Sequence, residues 1–221
     1  MRTSIKLAFT ALAAAGLLAA VVGSASANNL SVDSRSFYAI WEDESQRLSF
    51  NAAVRIECEV TLLGSFHENT ITKTPGLLVG HITHASVDSE GCNNGEAFVQ
   101  EESLPWEVNY ESYAGTLPNI TRVRLQLINA AFEIESGLGP HCLAITSRAN
   151  PAAGEILLDE ESHAASLAAD PDNRIPITDT IDSDPFLGLD CEDIGVGTFS
   201  GTGDVAEGEE GSETDIAVTL I

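Results

Sequence analysis

The chain has 221 residues, and its 34 Asp and Glu against 10 Lys and Arg give a formal net charge of -24. A surface this negative repels phosphate backbones and anionic lipid, which excludes nucleic acid and membrane surfaces as partners. The length suits one domain with a substantial core.

The N-terminus is patterned as an export leader. Arg2 and Lys6 form a short basic region, Leu7 to Val22 carry no charge, and Ala25-Ser26-Ala27 puts small residues at both positions read by a signal peptidase. The pattern predicts a signal peptide over residues 1–27 and a mature chain starting at Asn28. The apolar run is shorter than the ~20 residues of a spanning helix. No Cys follows it to take a lipid, and no hydrophobic tail ends the chain at Ile221. The expectation is a secreted, extracellular protein with no membrane anchor after cleavage, more acidic still once Arg2 and Lys6 are removed.

Period-two patterning dominates the mature chain. Ser36 to Trp41 is the first candidate strand. Val54, Ile56, Cys58, Val60 and Leu62 then alternate with Arg55, Glu57, Glu59 and Thr61, which describes a strand with one buried and one wet face. Leu77 to Val87, Glu96 to Gln100 and Trp106 to Tyr113 continue the series. Val123, Leu125 and Leu127 alternate with Arg122, Arg124 and Gln126 in the same manner. Cys142 to Thr146, Glu155 to Leu158 and Val196 to Thr202 follow. Ile216, Val218 and Leu220, alternating with Asp215, Ala217 and Thr219, close the chain.

One stretch departs from the pattern. Glu160 to Ala169 is rich in Ala and Glu and ends at Asp170-Pro171, which reads as a short helix stopped by proline or as a hairpin arm imposed by the sheet. From there to Asp193 the chain is acidic, and Pro171, Pro176 and Pro185 argue against regular central strands. The predicted architecture is all-β: a single antiparallel β-sandwich or barrel-like domain over residues 28–221, with an acidic surface excursion at about 160–194.

Cys58, Cys92, Cys142 and Cys191 all lie in the mature part, and an exported chain meets conditions in which disulfides persist. Their wide scatter does not suit a zinc site, which prefers closely paired thiols. Two bridges are expected. Four cysteines allow three pairings, and Cys58 with Cys92 and Cys142 with Cys191 close the shortest loops.

The remaining chemistry-bearing residues form no catalytic constellation. His81 and His84 stand three apart in a predicted strand, where strict alternation sends them to opposite faces and forbids joint chelation. His67 and His141 sit beside turns. Neither Gly-x-Ser-x-Gly nor His-Glu-x-x-His occurs. Trp41, Trp106, Tyr110 and Tyr113 could line a sugar-binding surface, but aromatics in short strands belong more often to the core. Calcium is the better-motivated cation: Asp170, Asp172 and Asn173, then Asp179, Asp182 and Asp184, supply hard oxygen ligands without EF-hand spacing. The metal-site candidates are therefore Asp170, Asp172, Asp179, Asp182 and Asp184, and no other cofactor is expected.

Gly64-Ser65-Phe66-His67, Leu104-Pro105-Trp106, Gly115-Thr116-Leu117-Pro118, Cys142-Leu143-Ala144 and Gly197-Thr198-Phe199-Ser200-Gly201-Thr202-Gly203 occur in this order. Together with the placing of the four cysteines, they resemble a group of uncharacterised secreted proteins of actinobacteria. The resemblance implies bacterial export and brings no activity, substrate or cofactor.

Two function classes stay open. The first is a non-enzymatic extracellular binding or structural module with a protein or glycan ligand. The second is a secreted carboxylate-dependent hydrolase acting on polysaccharide, a reaction that needs an acid and a base or nucleophile at fixed separation.

Overall fold

In a computed structural model, residues 29–42, 47–51, 55–116, 119–136, 141–158, 165–179, 191, 196–208 and 218–220 are described. The predicted leader, Val54, most of Glu160 to Ala165, Asp182, Asp184, Pro185 and Asp215 to Ala217 lie outside them. The strands in chain order are β1 (Asn29–Val32), β2 (Ser36–Trp41), β3 (Leu48–Asn51), β4 (Arg55–Phe66), β5 (Thr70–Thr72), β6 (Leu78–Asn93), β7 (Gly95–Val99) and β8 (Trp106–Thr116). They continue as β9 (Asn119–Ile128), β10 (Ala131–Ser136), β11 (His141–Ile145), β12 (Ala152–Leu158), β13 (Ala165–Ala169), β14 (Ile175–Asp179), β15 (Val196–Glu207) and β16 (Val218–Leu220). A single 3-10 turn, Glu101–Ser103, precedes β8.

The eight strands β13-β12-β9-β8-β6-β4-β2-β15 lie side by side, every pair antiparallel. Pairing of β13 with β15, from Ala165 opposite Val205 to Ala169 opposite Gly201, closes them into a barrel. Closure satisfies the backbone groups that an edge would leave unpaired.

A second region extends this barrel along its own strands. The first residues of β4 pair with β3, which pairs in turn with the first residues of β15, and the ladder goes on through β14, β11 and β10 to β7. At the far end β7 comes back against β4. A Cβ on Gly95 would lie 2.7 Å from Ile56 Cδ1 and 2.3 Å from the Glu135 carbonyl, so only glycine permits that approach. A small separate sheet, β16-β1-β5, joins the chain's two terminal strands through Leu30, which faces both Leu220 and Ile71 in register.

One hydrophobic core runs through both regions. β4 shows why: Ile56, Cys58, Val60, Leu62, Gly64 and Phe66 are buried on the inner face, while the residues that alternate with them are half-buried. Long strands of strict alternation can serve barrel and extension in succession, because register never changes the face that is buried.

Of the two readings of the Ala-rich stretch, its described part, Ala165 to Ala169, is the hairpin arm, because pairing on both edges outweighs the small helical preference of Ala-rich sequence. One expectation is corrected. Ile175–Asp179, inside the predicted excursion, is a strand between β15 and β11 despite Pro176. Pro176 is accommodated because it pairs only with Val196, the first residue of β15, and pairing to β11 starts one residue later at Ile177.

Both expected disulfides are present, Cys58 with Cys92 and Cys142 with Cys191. Bridges of this kind fit an oxidising compartment. Among the described residues, no helix is long and apolar enough to cross a membrane.

Candidate functional site

The barrel walls surround a partly open cavity of about 100 Å³. All eight barrel strands contribute to its wall, among them Ala39 and Trp41 from β2, Leu62 from β4, Leu125 from β9, Leu167 from β13 and Val205 from β15. Small residues make the space. Ala39, Ala152, Gly154 and Ala169 are among the lining residues and take up little of the interior. Toward the sheet extension the space ends on Leu48, Phe132 and Phe199. There Phe50, Phe132 and Phe199 form a mutually edge-on trio with ring centres 5.1–5.3 Å apart, and Trp106 packs on Phe132 at 5.2 Å.

Trp41 is the chemically distinctive part of this wall. Its side chain is 2% exposed, and its indole Nε1–H has no hydrogen-bond partner. Leaving such a donor unpaired costs about 1–3 kcal/mol. Gly203 fixes the ring, because a Cβ there would lie 2.7 Å from Trp41 Cδ2 and 2.3 Å from the Ile40 carbonyl. Trp106 differs: its Nε1–H donates to Ser103 Oγ at 2.7 Å.

The aromatics considered for a sugar-binding surface are therefore core residues. Trp41, Trp106 and Tyr110 are buried, and Tyr113 is half-buried under Lys73, whose Nζ stands 4.7 Å from the ring centre. Burial, and then Tyr113 nearby, raise the Tyr110 phenol above its ordinary value of 10.0, keeping it neutral at physiological pH.

The calcium candidates are placed as follows. Asp170 is held by Arg124 in an ion pair, and its other oxygen accepts from the Asp172 backbone N–H at 2.9 Å. Asp172 is exposed, Asp179 ends β14 opposite Cys142, and Asp182 and Asp184 lie outside the described residues. Among the described residues, no group of three or more His, Cys, Asp or Glu side chains is arranged to hold a metal. Arg124 instead organises the carboxylates, lying 3.3 Å from Glu111 and 3.8 Å from Glu155 as well.

The histidines correct the sequence reading. In the β4–β6 ladder, Leu63 faces His84 and Gly64 faces Ile82, so Thr83 is a bulged residue without a partner in register. The bulge resets alternation, which is why Ile82 and Ala85, three apart, are both buried. His81 and His84 then share the outer face. His67, two residues beyond Ser65, the register partner of His81, reaches His81 directly: Nε2 of His67 and Nδ1 of His81 are 3.0 Å apart. His141 lies between Glu133 and Glu135, its ring nitrogens 3.5 and 3.1 Å from their carboxylates.

No protein-family model, curated protein or solved structure matches this chain.

Proposed function

We propose that the protein is a secreted, non-enzymatic binding module that holds a small apolar molecule inside its barrel. The observation that carries this reading is the apolar cavity of about 100 Å³ at the centre of the closed barrel. An eight-stranded barrel is wide enough either to be filled by side chains or to hold one small ligand, and here alanines and a glycine stand where filling side chains would be. A dry protein cavity of about 150 Å³ lined by Leu, Ile and Phe accepts benzene, so a space of about 100 Å³ suits a molecule no larger than benzene. The unpartnered indole N–H of Trp41 favours a molecule that also carries one hydrogen-bond acceptor.

Three features support export: the leader pattern at residues 1–27, the bridges that suit an oxidising compartment, and the resemblance to secreted actinobacterial proteins. The hydrolase alternative draws no support from this site. Among the described residues lining the cavity there is no carboxylate to act as acid, base or nucleophile.

The test is a titration of the mature protein with benzene-sized aromatics, with and without a carbonyl, read by tryptophan fluorescence and by thermal melts. Saturable binding should stabilise the fold by about 2.7 kcal/mol when free ligand exceeds its dissociation constant a hundredfold. Ala39→Leu, which fills the cavity, should abolish that shift. Melts that no probe moves, together with crystals under xenon showing an empty barrel, would overturn the reading.

A further inference from the structure

We infer that His67 and His81 form a binding site for a divalent late transition ion on the outer face of the barrel, independent of the cavity inside it. His67 Nε2 and His81 Nδ1 stand 3.0 Å apart, with ring centres 4.9 Å apart and planes inclined by 44°. Imidazole nitrogens bind zinc at about 2.0–2.1 Å, so two of them on adjacent corners of one square or tetrahedral ion lie about 2.9–3.4 Å from each other. The observed separation falls in that range before any rearrangement. In the metal-free protein the two nitrogens share one proton, and each ring can place its own proton on the nitrogen facing away, Nδ1 of His67 and Nε2 of His81. That tautomer change leaves two lone pairs facing one small volume, and a modest ring rotation converges them on an ion.

The backbone holds this geometry. His67 N–H donates to the Val79 carbonyl at 2.9 Å, continuing the ladder in which Ser65 faces His81. The two imidazoles are thus diagonal neighbours on adjacent strands, a spacing that long side chains bridge. His67 is exposed and His81 half-buried, so an ion can enter from solvent and water can complete its coordination. Glu107 faces His81 from β8 on the same side, but its carboxylate is engaged by Arg148 at 2.5 Å. The donor set is therefore two nitrogens, which suits copper(II) and zinc over calcium or magnesium, with copper bound more tightly. A protein of charge -24 adds a long-range attraction for any cation.

The experiment uses tag-free mature protein titrated with copper(II) and, separately, zinc. One equivalent of copper should bind with a spin-resonance spectrum split by two imidazole nitrogens, and tenfold excess over the dissociation constant should raise the melting temperature by about 3–6 °C. His67→Gln and His81→Gln should each weaken binding at least about tenfold and lose the two-nitrogen signature, whereas His84→Gln should retain both. Metal-free melts of the three variants establish that each is folded, as substitutions on an outer face permit. Binding of equal strength in both pair variants, or a spectrum of oxygen donors alone, would assign the metal to surface carboxylates and overturn the site. Absence of binding by the parent protein would overturn it too.

Discussion

The closed barrel and the sheet extension are built from several of the same strands and share one core, yet they are stabilised in different ways. The extension is packed and stapled. Its core is a trio of phenylalanines with Trp106 beside them; Cys142 on β11 is bridged to Cys191, and Cys58, on the part of β4 that pairs with β3, is bridged to Cys92 at the end of β6. Among the described residues, the barrel strands carry one bridge, Cys58–Cys92 between the first residues of β4 and the end of β6 beside the extension, and the barrel keeps a cavity inside. Its stability rests on closure, which pairs every strand on both edges, and on ion pairs gathered by Arg124 outside. The contrast separates two tasks: one region can hold the fold while the other keeps space for a ligand at a cost in packing.

The largest expected effect comes from placing a charge in the packed region. Ile56 is 1% exposed on β4 and touches the returning strand at Gly95, so Ile56→Asp buries an unpaired carboxylate and should abolish folded, secreted protein. Glu57 points outward, pairing with Arg55 at 2.7 Å. Glu57→Lys loses that surface pair and should cost about 1 kcal/mol or less by denaturant titration. Equal damage from both variants would mean that β4 has another register.

The bridges come next. The Cys142–Cys191 bridge spans 49 residues and ties β11 to the segment leading into β15, so Cys142→Ser with Cys191→Ser should cost about 2–5 kcal/mol. The protein has two tryptophans, and they report on different regions. In the bridge-less protein, Trp106 in a Trp41→Phe background should change its emission at lower denaturant than Trp41 in a Trp106→Phe background. Coincident transitions would show that barrel and extension unfold as one unit.

The all-β class, many of the strands and both bridges were legible in the sequence, whereas the division into barrel and extension was not, and the gaps have physical causes. The alternating runs around Ile56, Val123 and Val218 announced strands because one buried face imposes period two. The scattered cysteines announced the two nearest-neighbour bridges. Ala165 to Ala169 stayed open between helix and hairpin arm because its small residues are also good helix formers, and pairing with β12 and the distant strand β15 decides the matter. The same smallness, at Ala39, Ala152 and Ala169, creates the cavity, and no local pattern distinguishes an alanine beside empty space from one pressed against a neighbour. Thr83 hid the shared face of His81 and His84, since one bulged residue inverts the face of all that follows, while the His67–His81 pair was hidden because the two meet only through the register of the β4–β6 ladder. Trp41 was identified as a core residue, but that its N–H lacks a partner is a property of the assembled barrel alone.

The smallest effect tests the comparison most directly, because it makes the same substitution in each region. Ala39 is 1% exposed and lines the cavity; Ala97, on β7, is 0% exposed and is not part of the cavity wall. Ala97→Leu must force its added methylenes into a filled core, which typically costs about 1–3 kcal/mol through displaced side chains and backbone. Ala39→Leu adds the same atoms beside existing space. There the new side chain gains contacts and loses water on its own apolar surface, so the strain is offset and the net change should stay within about 1 kcal/mol of zero. Urea midpoints of the two variants against the parent decide between these outcomes, with slopes compared so that a change in the denatured state is not mistaken for one in packing. If Ala39→Leu is as damaging as Ala97→Leu, the barrel is as tightly filled as the extension, and the space assigned to a ligand does not accept atoms. If only Ala97→Leu is costly, the barrel tolerates added volume at its centre, as a binding cavity must.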